Sequence, residues 1–152
     1  MGRFEELVSA MAEHMGLPLA GRPESPLEII LGGTAVTLSG ETISDIEDIV
    51  LAANVGTVSR HREIELYRLL LEANVHWSAT RFATLGVNSA TLGVILCYRC
   101  RAAELSGETL AALLSTFAET ARIWTEIIAS ENEVETGAAP DPDMHATMTF
   151  RA

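Results

Sequence analysis

The sequence predicts an α+β fold: a helix, three strands, a second helix, two more strands and a closing helix, the strands forming an antiparallel, twisted sheet packed by helices. Three observations carry this expectation. Apolar residues recur at helical spacing in three separated windows, short apolar runs of strand length lie between those windows, and tight turns holding Gly or Asn divide the runs. At 152 residues the chain is the size of one domain and can bury a substantial core.

The first helix is predicted from Arg3 to Met15, where Phe4, Leu7, Val8, Met11 and Met15 share one face and Gly16 supplies a stop. Leu17-Pro18-Leu19 leaves it in extended form, and Gly21, Pro23 and Pro26 mark a loop. Strands follow at Leu27 to Leu31, Ala35 to Leu38 and about Ile43 to Ala53, with Gly32-Gly33 and Ser39-Gly40 as the turns between them. Ile43, Ile46, Ile49 and Val50 also fit a helix; the Gly-containing turns ahead of them and the meander pattern decide for strand.

Ser59 is the expected N-cap of the second helix, which runs to about Asn74. Ile64, Leu66, Tyr67, Leu69, Leu70 and Leu71 make it apolar around much of its circumference, so it needs cover on more than one side, part of it from a second copy of the chain. Phe82 to Val87 and Thr91 to Arg99 read as strands four and five about a turn at Asn88-Ser89. Leu92, Val94, Leu96 and Tyr98 alternate onto one face of the fifth. Ser106 can cap the last helix, whose stripe is Leu110, Leu113, Leu114, Phe117, Ala121, Trp124 and Ile128. Residues 1–130 thus read as one domain. Residues 131–152 have no sustained period, contain Asp-Pro-Asp and read as an acidic, flexible tail.

Twenty-one acidic residues against ten basic ones give a net charge of −11, which repels nucleic acid phosphates and anionic lipid headgroups. All the basic residues are Arg, so neither a Schiff-base lysine nor a lysine-bearing phosphate loop is available. The first 20 residues carry Glu5, Glu6 and Glu13, unlike a signal peptide, and no apolar run approaches the roughly 20 residues that span a bilayer. A cytoplasmic protein without membrane insertion is expected, and two cysteines suit a reducing compartment.

Cys97 and Cys100 have C-x-x-C spacing, but no second pair or nearby His completes a metal site, and residues three apart on a strand point to opposite faces. They read as small apolar side chains. His61 and Glu65 lie four apart without the H-E-x-x-H order of a zinc protease, and His14, His76 and His145 are scattered. Asp45, Glu47 and Asp48 read as a solvated face or turn. No nucleophile elbow, phosphate-cradling glycine loop or dinucleotide fingerprint is present. Neither an enzyme, a cofactor nor a metal is expected.

FEELVSAMAEHMGLPL at 4–19, REIELYRLLLEAN at 62–74, ATLGV at 83–87 and the Phe117/Trp124 helix, in that order, resemble the Tir-type (CesT-like) chaperones of bacterial type III secretion. The resemblance implies the secretion-chaperone fold, assembled as a homodimer through the middle helix and the neighbouring strand. It implies a virulence-associated function: binding the N-terminal region of a secreted effector in extended form without ATP, and handing it to the secretion ATPase and export apparatus. Carried over by position, Phe4, Leu7, Val8, Met11, Leu17 and Leu19, with Leu27, Ile29 and Leu31, are candidates for the effector groove. Leu66, Leu70, Val75, Trp77, Phe82 and Leu85 are candidates for the dimer interface. The Pro-rich 21–26 loop and the long tail depart from the family's pattern, and the tail could cover the groove. A YbjN-like regulator binding folded partners and a small α+β ligand-binding domain or enzyme are the competing expectations.

Overall fold

The structure, a computed structural model, describes residues 2–135. It contains helix α1 (Arg3–Met15), strands β1 (Leu27–Leu31), β2 (Thr34–Ile43) and β3 (Ile46–Thr57), helix α2 (Glu63–Asn74), strands β4 (Thr84–Val87) and β5 (Gly93–Arg101), and helix α3 (Gly107–Glu133). The strands form one antiparallel sheet in the order β1-β2-β3-β5-β4. This is the α+β architecture expected.

Helix α1 ends where Gly16 takes a left-handed φ of 66° and returns its N–H to the carbonyls of Ala12 and Glu13. At its other end the Phe4 N–H donates to Glu47 Oε1 at 2.8 Å, placing a carboxylate at the positive pole of the helix. Glu47 is therefore a docking group for α1 rather than a solvated charge. Asp48 is likewise engaged, accepting from Arg99 Nε at 2.7 Å, whereas Asp45 is exposed in the turn before β3.

That turn corrects one expectation. Ser39-Gly40 lies inside β2, and the strand reverses instead at Ser44-Asp45, whose φ values of 49° and 63° meet the left-handed requirement of a tight hairpin. Gly40 is a packing glycine: a Cβ there would stand 3.1 Å from Cβ and Cδ2 of Phe4, so its absence lets α1 lie against the sheet. Ser59 does not cap by its side chain. A short 3₁₀ turn over Arg60–Arg62 precedes α2, and the Ser59 N–H instead donates to Asn132 Oδ1 at 3.0 Å. The fourth strand begins at Thr84 rather than Phe82, because Arg81 and Phe82 have left-handed φ values of 49° and 68°.

Ser106 caps α3 as expected, its Oγ accepting from the Thr109 N–H at 3.1 Å. The helix runs three residues beyond the predicted domain end at 130. Asn132 Nδ2 donates to the Thr57 carbonyl at 2.7 Å, so this last turn belongs to the folded unit. The remainder of the predicted tail, 136–152, lies outside the described residues.

Helices α1 and α3 pack together over one face of the sheet. A Cβ on Gly107 would come within 2.5 Å of the Ala10 Cβ, which measures how closely they approach. Leu7, Val8 and Met11 of α1 and Leu110, Leu114, Phe117 and Ile128 of α3 bury against Val36, Leu38, Ile49, Leu51, Val55, Val94 and Leu96 of the strands. The alternate strand positions, including Thr37, Val50, Ala52, Ile95, Cys97 and Arg99, form the opposite face and are half-buried or exposed.

Candidate partner-binding surfaces

The groove candidates divide by depth. Phe4, Leu7, Val8 and Met11 are at most 5% exposed and belong to the core. The apolar stripe of α1 is used up against the sheet and α3, so these four carry the fold's packing and present nothing to a partner. Leu17, Leu19, Leu27, Ile29 and Leu31 are half-buried, and form a rim where the chain leaves α1 and enters β1.

The interface candidates divide in the same way. Leu66, Leu70 and Leu85 are buried, whereas Val75 is 58%, Trp77 50% and Phe82 76% exposed. Ile64 and Leu71, which sequence reasoning placed on the apolar helix but assigned to no site, are each 70% exposed. They stand seven residues apart on one side of α2, and the signal for them was the excess of apolar residues over what a single packed face can use. α2 thus buries one stripe in its own chain and shows a second to the outside.

The segment after α2 holds its aromatics outward by an unusual backbone. His76, Trp77, Arg81 and Phe82 all have positive φ, between 49° and 68°, at about 1–2 kcal/mol for each such non-glycine residue. Side chains fix this shape. Thr80, fully buried, donates to the Ala83 carbonyl, and Trp124 Nε1 of α3 donates to the Ala79 carbonyl at 3.1 Å. Trp77 and Phe82 then border a cleft of about 450 Å³ with Val50, Thr84, Cys97 and Arg99 on the sheet's open face. Costly backbone held in place around exposed aromatics marks this segment as a candidate interaction surface.

The two edges of the sheet are treated differently. At β4, Asn74 Nδ2 donates to the Leu85 carbonyl and Asn74 Oδ1 accepts from the Leu85 N–H, both at 2.9 Å, so one side chain occupies the edge as a neighbouring strand would. β1 pairs with β2 and has no partner on its outer side among the described residues. Beyond it, Met15 and Leu31 share a cleft of about 260 Å³ with Ser115, Ala118 and Glu119 of α3.

Burial pushes the Cys100 thiol up to about 11, with Asp48 and Glu104 adding to the effect, and burial also raises Cys97. Burial thus favours the protonated thiol over the thiolate at both positions. No group of three or more His, Cys, Asp or Glu side chains that could hold a metal occurs among the described residues. Nor is any helix among them long and apolar enough to cross a membrane.

Comparison with known proteins identifies the family and the fold. The model of the Tir chaperone protein (CesT) family matches residues 6–125. No curated protein matches the chain. Among solved structures, the ExsC–ExsE complex superposes with a TM-score of 0.64 at 24% identity, covering 83% of this chain and 93% of that one. The ExoT–SpcS complex from Pseudomonas aeruginosa gives 0.61 at 16% identity, covering 80% and 96%. The HopA1–SchA chaperone–effector complex gives 0.60 at 16% identity, covering 82% and 94%. These likenesses show a shared fold over nearly the whole length of each neighbour, and with the family match spanning both ends of the described core, the chain belongs to the Tir chaperone protein (CesT) family.

Proposed function

We propose that this protein is a type III secretion chaperone that binds the N-terminal chaperone-binding segment of a secreted effector in extended form and keeps it stable and secretion-competent without ATP. The observation that carries this reading is the contrast between the sheet edges: Asn74 closes β4 at Leu85, while β1 has no strand partner on its outer side among the described residues and lies beside an apolar rim. An extended chain adds main-chain hydrogen bonds at such an edge and sets alternate side chains against Leu17, Leu19, Leu27, Ile29 and Leu31. Phe4, Leu7, Val8 and Met11 stand behind that rim as its support. Family membership and solved chaperone–effector complexes of the same fold support the reading.

The protein works as a homodimer in the bacterial cytoplasm, joined through Ile64, Leu71, Val75, Trp77 and Phe82, with Leu66, Leu70 and Leu85 forming the packed layer beneath. The dimer then hands its client to the secretion ATPase and export apparatus. It performs no catalysis and needs no cofactor. Titration of the purified protein with N-terminal segments of type III effectors from the same genome, in nucleotide-free buffer, tests the function. Saturable binding is expected, and a protein that is monomeric and ignores every such segment would end the chaperone reading.

A further inference from the structure

We infer that the parting between β2 and β3 is a second seat for the client, taking a short extended stretch that carries a basic side chain; this rests on the chaperone reading above. β2 and β3 pair only from Thr37↔Ala52 to Ile43↔Ile46. Ahead of Thr37, residues 34–36 pair with β1 alone, and beyond Ala52, residues 53–57 pair with β5 alone. Two neighbouring strands therefore separate within one sheet, and their facing edges at 34–36 and 53–56 have no strand partner among the described residues. The separation is filled by a cleft of about 680 Å³, walled by Ala35, Ala52, Ala53 and Asn54 and closed by Arg122 and Glu126 of α3.

The parting is built into β3. Its register with β5 shifts between Asn54 and Gly56, where Gly56 has a φ of 139° and donates its N–H to Asn54 Oδ1 at 3.0 Å. A Cβ on Gly56 would lie 2.7 Å from Ile128 Cγ2, so α3 presses on the kink and holds it.

Three properties of the cleft define its occupant. Backbone edges call for a main-chain partner, and an extended segment has free N–H and C=O groups to offer them, whereas a helix has already used its own internally. The alanine walls leave room for the guest's own side chains. The unbalanced charge is negative: Glu28 lines the cleft with no ion-pair partner among the described residues, while Glu126 is paired with Arg122 at 2.7 Å and Glu119 shares that guanidinium at 2.8 Å. A second copy of a chain with net charge −11 brings the wrong sign, and residues 136–152 carry Asp141 and Asp143 against Arg151. A Lys- or Arg-bearing client segment brings the right one. The cleft also continues into the client rim, since Gly32, Thr34 and Arg122 line both it and the adjoining cleft that reaches Met15 and Leu31.

Hydrogen exchange of the full chain, with and without the N-terminal segment of a type III effector from the same genome that it binds, tests the seat. Slowed exchange at 34–36 and 53–56 on binding is expected. Ala35→Trp, which fills the cleft from an exposed position, should weaken binding about tenfold, a loss of about 1.4 kcal/mol, and Glu28→Arg should weaken it and flatten its salt dependence. If Ala35→Trp does not fold, the exchange footprint decides alone. Binding that slows only 27–31 would overturn this seat and leave the chaperone reading standing, whereas no binding at all would remove both. Protection already present in the free protein and lost on deleting 136–152, or rising with protein concentration, would assign the cleft to the chain's own end or to a second copy and overturn the proposal.

Discussion

Helices α1 and α2 look alike in sequence, each a short amphipathic segment rich in large apolar residues, yet the structure spends them differently. α1 buries Phe4, Leu7, Val8 and Met11 within its own domain and leaves no large apolar side chain of its stripe exposed. α2 buries Leu66, Leu70 and Ala73 and leaves Ile64 and Leu71 in the open, next to Val75, Trp77 and Phe82. The difference is one of supply. A stripe that matches one packed face is core, and a helix with apolar residues beyond that face advertises a second surface.

The sharpest way to break this comparison is a charge on each helix. Met11→Asp places a carboxylate at a fully buried position and is expected to cost at least about 4 kcal/mol, read as a large fall in the urea midpoint. A folded Met11→Asp protein that has lost only client binding would show that α1 faces a partner after all. Leu70→Asp should behave as Met11→Asp does, since Leu70 lies beneath the exposed stripe, 3% accessible.

A smaller effect sharpens the account of α1. Gly107→Val drives a branched side chain into the Ala10 backbone, where even a Cβ would sit 2.7 Å from the Ala10 carbonyl carbon. Overpacking of this kind costs about 1–3 kcal/mol, so the urea midpoint should fall with the slope unchanged. No change would mean that α1 and α3 are looser than their contacts indicate.

Asn74→Ala comes next, at about 1–2 kcal/mol, because it removes two hydrogen bonds and leaves the Leu85 backbone groups at the β4 edge unpaired. Exchange of the Leu85 amide should speed up selectively. The double Leu71→Asp, Phe82→Asp variant is expected to change fold stability least, both side chains being at least 70% exposed, and to convert the dimer to folded monomers by sedimentation. A dimer that survives it would place the subunit contact elsewhere.

Helical and strand periods made the element order and the boundaries of α1 and β1 legible, because their local patterns agree with their tertiary surroundings. The β2–β3 turn was not. Ser39-Gly40 is a good local turn sequence, and only the approach of Phe4, distant in sequence, makes Gly40 a packing residue within a strand. The site was legible as a family of apolar residues but not by depth, since a helical stripe looks the same whether its cover is the same chain or another. Asn74 shows a further limit: its hydrogen bonds to Leu85 depend on where β4 folds back, and no spacing announces that. Nor does any motif announce the left-handed pairs His76-Trp77 and Arg81-Phe82, none of them glycine.

The central claim is that the partner is an unfolded segment held along the sheet, without nucleotide. Calorimetric titration of the protein with two fragments of each type III effector from the same genome, its N-terminal segment and its folded remainder, in buffer free of ATP, tests this most directly. The account predicts saturable binding of at least one segment and of no remainder. Binding of a folded remainder alone would contradict it and point to a regulator of folded partners.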